Sequence, residues 1–245
     1  MIESHFSTGI AALDRVFRGL LPGDNLVWHI DDIADFAPLV PAYCRAARKE
    51  GRRLIYFRFA DHPPLLQEGD AGEIRHLDIS LGFERFITQV RAEIREAGRC
   101  AFFLFDCLST LAEAWSSDRM LGNFFMLTCP YVFDLESLAY FPLQRNTHSV
   151  QATGPISHTT QILTEVYRRK GKVYIQPSKV EHRYSPTMYM LHVWEGDHFT
   201  PISDSATIAE ILTAKPWAGL DAVHFRLGKW NRTFLQAERV WEQQQ

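Results

Sequence analysis

Cys100-Ala101-Phe102-Phe103-Leu104-Phe105-Asp106 is the stretch on which the fold turns: six residues without a charge or a turn former, closed by a carboxylate. An edge strand alternates apolar and polar residues; an unbroken apolar run suits a central strand of a parallel sheet, buried on both faces. The flanking pattern agrees. Residues 83–98 place Phe86, Ile87, Val90 and Ile94 at helical spacing, and 53–59 (Arg-Leu-Ile-Tyr-Phe-Arg-Phe) read as a strand that His62-Pro63-Pro64 closes. Residues 74–79 form a short strand candidate, 25–30 another, and 138–143 another. Residues 10–21 carry Ile10, Leu13, Val16, Phe17 and Leu20 on one helical face; a second helix is expected from a cap at Asp35 to about Gly51. Strands that alternate with helices predict an α/β protein with a mostly parallel sheet.

The later half changes character. Residues 147–160 are polar and suit a loop with a short helix. Residues 160–168 and 171–177 read as antiparallel strands around Arg169-Lys170-Gly171, and 188–193 and 198–202 as a second hairpin around Glu195-Gly196-Asp197. After residue 203 the pattern turns helical: 205–214, then 221–243, where Val223, Leu227, Trp230, Phe234, Ala237 and Trp241 share a face. The expected domains are thus 1–203 and a helical extension, 204–245. Packing on its own domain, a second subunit or a downstream module would each cover the face of Leu227, Trp230, Phe234 and Trp241.

Bulk properties exclude several classes. The 245 residues are 46% hydrophobic and 22% charged, with a net charge of −3, so no global basic field favours nucleic acid or an anionic membrane. No run is long and apolar enough to span a bilayer, and Met1-Ile2-Glu3-Ser4-His5 lacks the basic and apolar regions of a signal peptide. Cys44, Cys100, Cys107 and Cys129 are widely spaced, which fits reduced thiols and a cytoplasmic location. His182, His192 and His198 form no metal-ligand signature. Cys107, next to Asp106, suits the core better than a nucleophile, and Ser109 has no paired base in view.

Residues 25–30 are followed by Asp31-Asp32-Ile33-Ala34-Asp35. The approach to them suggests a nucleotide-binding P-loop, which needs glycines, a Lys and a Ser or Thr to hold phosphate and Mg²⁺. Residues 28–39 contain none of these. Three carboxylates stand where a polyanion would lie, an arrangement that costs energy unless cations intervene.

Three segments resemble the RecA-like ATPases of the KaiC type: Thr8-Gly9-Ile10-Ala11-Ala12-Leu13-Asp14 with Leu21-Pro22-Gly23-Asp24; Phe102-Phe103-Leu104-Phe105-Asp106 with Leu108-Ser109-Thr110-Leu111; and Arg168-Arg169-Lys170-Gly171-Lys172-Val173-Tyr174 through Lys179-Val180. The resemblance implies a RecA-like fold over about residues 6–202, with Asp106 at the Mg²⁺-coordinating position. The family's Walker A is absent, and its pair of Glu residues after the second core strand is replaced by Ala60-Asp61. Asp31, Asp32, Asp35, Asp61, Asp106 and Ser109 are therefore the expected remnant of a nucleotide cleft. No catalytic residue, metal or cofactor is assigned, and the residues argue against ATP and Mg²⁺.

A second resemblance is narrower. Leu20-Leu21-Pro22-Gly23-Asp24-Asn25-Leu26-Val27-Trp28, Arg52-Arg53-Leu54-Ile55-Tyr56-Phe57-Arg58-Phe59-Ala60 and Trp230-Asn231-Arg232-Thr233-Phe234-Leu235-Gln236-Ala237-Glu238 are similar to the region that precedes some bacterial phosphoenolpyruvate synthase/pyruvate phosphate dikinase-type proteins. It implies a non-catalytic pseudo-ATPase scaffold or regulatory module, partnered by its own C-terminal or a separate PEP-synthase-like module, with a homodimer also allowed. The alternatives are an enzyme that binds nucleotide at an unconventional site and a small-metabolite sensor in the vacated cleft.

Overall fold

The computed structural model describes residues 6–67 and 72–213. The chain divides into two compact units, with the boundary between Ser203 and Asp204. In the first, helix α1 (Ala11–Phe17) buries Ala12, Leu13, Val16 and Phe17. It is shorter than its apolar pattern, because the chain reverses at Arg18 and Gly19, with φ of 62° and 78°. Strand β1 (Asn25–Ile30) follows. The helical stretch after it is broken into α2 (Ile33–Phe36), a 3₁₀ turn (Ala37–Leu39) and α3 (Val40–Lys49). Pro38 and Pro41 sit in the first turns of the later two segments, where a missing N–H is tolerated. The helical cap is Asp32, not Asp35: Asp32 has the extended backbone of a cap residue, with φ −141° and ψ 150°.

The chain continues through β2 (Leu54–Arg58), β3 (Glu73–His76), α4 (Phe83–Ala97), β4 (Phe102–Phe105), α5 (Ser109–Ala114) and α6 (Asp118–Asp134). Next come β5 (Leu138–Gln144), α7 (Val150–Thr159), β6 (Ile162–Arg169), β7 (Lys172–Val180), β8 (His192–Glu195) and β9 (His198–Pro201). The β6–β7 hairpin turns on Lys170 and Gly171, both at positive φ, as the right-handed twist of paired strands requires. Periodicity does not announce α6. Its Phe124-Phe125-Met126-Leu127 run is apolar around the helix and Pro130 lies inside it, although Leu121, Phe125, Cys129 and Val132 are buried.

The sheet order is β3-β2-β4-β5-β1-β6-β7-β8-β9. Strands β3 through β6 in that order pair in parallel; β6 to β9 are antiparallel. This is an α/β architecture of the RecA-like kind, a mostly parallel sheet flanked by helices with late hairpins. β4 lies between β2 and β5, and its side chains alternate between two cores. Phe102 and Leu104 join Trp28, Tyr43, Tyr56 and Tyr140 under α1 and α3. Phe103 and Phe105 join Phe57, Phe86, Phe124 and Phe141 under α4 to α7. Burial on both faces is why this strand carries no polar residue. No helix among the described residues is long and apolar enough to cross a membrane. The second unit contributes helix α8 (Ser205–Thr213). The expected helix 221–243, with Leu227, Trp230, Phe234 and Trp241, lies outside the described residues.

Candidate functional site

Parallel strands end at one edge of a sheet, where α/β proteins place their ligands. Here that edge gathers Asp31 and Asp32 after β1, Arg58 at the end of β2, Asp106 after β4, Arg145 after β5 and Arg168 and Arg169 at the end of β6. Three networks form.

The first neutralises the acidic loop. Asp32 accepts from the Ala34 amide at 2.8 Å and Asp35 accepts from the Asp32 amide at 3.2 Å, a reciprocal capping box. The chain's own carboxylates thus occupy the α2 N-terminus, the place where a P-loop would hold phosphate. Asp35 pairs with Arg168 Nε at 2.7 Å, while Asp31 lies 3.4 Å from both Arg145 and Arg169. Arg145 also donates from Nε to Glu165 at 2.8 Å and to the His29 carbonyl at 3.0 Å. Its guanidinium carbon stands 3.9 Å from the centroid of the Tyr167 ring. Glu165 completes the group through His29 Nδ1 at 2.7 Å. Burial pushes the Glu165 carboxyl up, but His29 and Arg145 together outweigh it and hold the group below the ordinary range. Arginines from β6 and from just after β5 supply the cations for Asp31 and Asp35, while Asp32 is satisfied through the cap.

The second network surrounds Asp106, which is fully buried. One oxygen accepts from the amides of Phe59 at 2.8 Å and Ala60 at 2.7 Å, and from Arg58 Nη1 at 2.8 Å. The other accepts from the Tyr56 hydroxyl. Burial first, and then the Asp106 charge, push that hydroxyl's pKa up. His62 packs alongside. Its Nδ1 lies 2.8 Å from the Pro63 carbonyl, so it carries the proton, and Nε2 accepts from the Cys107 amide at 3.3 Å. A Mg²⁺ ion at Asp106 would have to displace protein donors on both oxygens.

The third network overturns the expectation that Ser109 has no paired base. Ser109 Oγ lies 2.7 Å from His148 Nε2, and His148 Nδ1 lies 2.9 Å from Asp118 Oδ1. The second Asp118 oxygen accepts from the Ser149 amide at 2.6 Å, and Ser109 Oγ accepts from the Gln144 amide at 2.9 Å. His148 therefore donates from Nδ1–H to the Asp118 carboxylate, which leaves Nε2 to accept from the serine hydroxyl, the arrangement of a nucleophile with its oriented base. Burial raises the Asp118 carboxyl, but Ser149 and His148 together hold it below the ordinary range. Ser109 is only 2% exposed, so the same bonds also act as a clamp between α5, α6 and the start of α7.

Of the expected remnant, Asp31, Asp32 and Asp35 form one network, while Asp106 and Ser109 belong to two others. Asp61 is exposed and joins none of them. Cys107 is buried, and burial pushes its thiol up, away from the reactive thiolate. Among the described residues no group of three or more His, Cys, Asp or Glu is placed to hold a metal. Sequence reasoning missed Tyr56, Arg58, Asp118, Arg145, His148 and Glu165. Arg58, a charge inside an apolar strand, was the one visible signal; His148 sits in a polar segment that offers none. The chain matches no known family model and no curated protein.

Proposed function

We propose that this chain is a non-catalytic pseudo-ATPase module, a RecA/KaiC-like scaffold or regulatory domain. The observation that carries the reading is the buried Asp106 carboxylate, with protein donors on both oxygens. The capped and ion-paired Asp31–Asp35 loop supports it. A phosphate chain would meet carboxylates at the α2 N-terminus, and a metal ion would meet a carboxylate already engaged. The three segments similar to the leader of PEP-synthase-type proteins make such phosphotransfer machinery the proposed partner, in cis or in trans. Such a module would work in the cytoplasm, as a monomer or a homodimer.

Thermal unfolding with and without ATP/Mg²⁺ tests the first part. A ligand at about 100 times its Kd adds roughly 2.7 kcal/mol of stability, a readily seen shift in Tm. No shift is expected; a saturable rise that Asp32→Ala or Asp106→Asn abolishes overturns the reading. Co-purification with a PEP-synthase-type catalytic chain tests the partnership, and its absence at micromolar concentration removes that part alone.

One observation favours a second reading. Ser109, His148 and Asp118 have the spacing of an acyl-transfer relay, though the burial of Ser109 opposes access. Covalent labelling by a fluorophosphonate, lost in Ser109→Ala, would establish this enzyme reading in place of the scaffold.

A further inference from the structure

At the opposite, amino edge of the sheet, a recess of about 890 Å³ opens between the end of α1 and the segment after β7. Its volume lies in the range of small-molecule sites. Among the described residues three arginines line it: Arg15, Arg18 and Arg183. Arg15 and Arg18 are exposed, and neither has an ion-pair partner among the described residues. Arg183 is different: its side chain is 7% exposed and pairs with Asp24 at 2.6 Å, yet its buried Nε has no hydrogen-bond partner.

Among the described residues Asp14 is the one carboxylate that lines the recess, and it faces other donors. Ser7 Oγ donates to one oxygen at 2.6 Å, and the Thr8 amide and hydroxyl donate to the other at 2.8 and 2.7 Å. The recess therefore presents a surplus of guanidinium donors beside an exposed aromatic, Tyr184, which is 68% exposed. An adjoining recess shares Arg15 and adds Arg45 together with one carboxylate, Asp197. Guanidinium forks match the oxygen pairs of carboxylates and phosphates, and clustered unpaired cations repel one another until an anion enters.

We infer that this recess is a binding site for a small organic dianion, a phosphomonoester or a dicarboxylate. Arg15 and Arg18 provide the primary grip, and Arg183 sets the floor. The site is independent of the proposed pseudo-ATPase reading, because it lies at the other edge of the sheet and uses none of the same residues.

Isothermal titration with glycerol phosphate, succinate and inorganic phosphate, each at matched ionic strength, tests it. The proteins are the full chain, Arg15→Gln/Arg18→Gln, and Arg85→Gln as a control on an exposed position of α4. Saturable binding of glycerol phosphate or succinate is expected, weakened about tenfold or more in the double variant and unchanged in the control. Preference for glycerol phosphate assigns the phosphomonoester, and preference for succinate the dicarboxylate. No saturable binding of either organic anion, binding of inorganic phosphate alone, or equal binding by the double variant overturns the proposal. Both arginines are exposed, and an unchanged Tm in the double variant shows that any loss is not unfolding.

Discussion

Arg58 Nη1 lies 2.8 Å from Oδ2 of Asp106, and this ion pair ties the end of β2 to the end of β4. Arg58 is 15% exposed at its side chain and Asp106 not at all, so the carboxylate depends on protein donors in place of water. Removing one partner of such a pair is far costlier than the pair itself is stabilising. Asp106→Asn also turns an amide toward the Phe59 and Ala60 N–H groups or leaves Tyr56 mismatched. Its expected cost is about 3–5 kcal/mol in urea unfolding. A loss below about 1 kcal/mol would mean that water reaches the site.

Phe103 tests the central placement of β4. It is fully buried and lies in the core that α4 to α7 cover, 5.9 Å from Phe57 between ring centroids. Phe103→Ala should cost about 3–5 kcal/mol, measured by chemical denaturation. A much smaller change would put this strand at an edge.

The capping box at α2 makes a graded prediction. Asp32→Ala should lose about 0.5–2 kcal/mol, whereas Asp32→Ser, which retains a side-chain acceptor, should lose less. Faster amide exchange at Ala34 in the Ala variant would locate the effect, since that amide donates to Asp32.

Acid sensitivity follows from Glu165. Its folded pKa lies below the unfolded value, so its ionised form stabilises the fold; that contribution is present above the unfolded pKa and lost as pH falls through the folded one. Stability should therefore decline below about pH 4.3, the ordinary glutamate value, with Asp118 adding to the same limb. Asp24 works the other way, because burial raises its pKa above the ordinary range despite Arg183. Glu165→Gln should flatten the acid limb in a stability-versus-pH series; an unchanged slope would remove Glu165 as its source.

Ser109→Ala leaves the Gln144 amide and His148 Nε2 without their shared partner. Since Ser109 is buried, the expected loss is about 1–3 kcal/mol. A Tm equal to that of the unaltered protein would show that the serine does not clamp the three helices.

Much of the architecture was legible because strand burial is a local property. The run through Phe102–Phe105 reads as a central strand since both faces of β4 meet apolar side chains, and 25–30 and 138–143 fall almost on β1 and β5. Where the pattern misled, a nearby residue explains it. Pro38 and Pro41 divide the expected long helix, and Arg18 and Gly19 shorten α1 by leaving helical space. The all-round apolar face of α6 gave no period to read.

The amino-acid sequence by itself determined the alternation of strands and helices, the doubly buried centre of the sheet and the loss of any glycine-and-lysine phosphate grip, because each depends on residues close together in the chain. The tertiary structure decided which charges meet. Asp31 finds Arg169, 138 residues away, because β6 lies beside β1; Ser109 finds His148, 39 residues away, because β5 ends beside the start of α5. Composition along the chain specifies burial, but the partner of a carboxylate or a histidine is set by strand order, which brings distant side chains to one edge of the sheet.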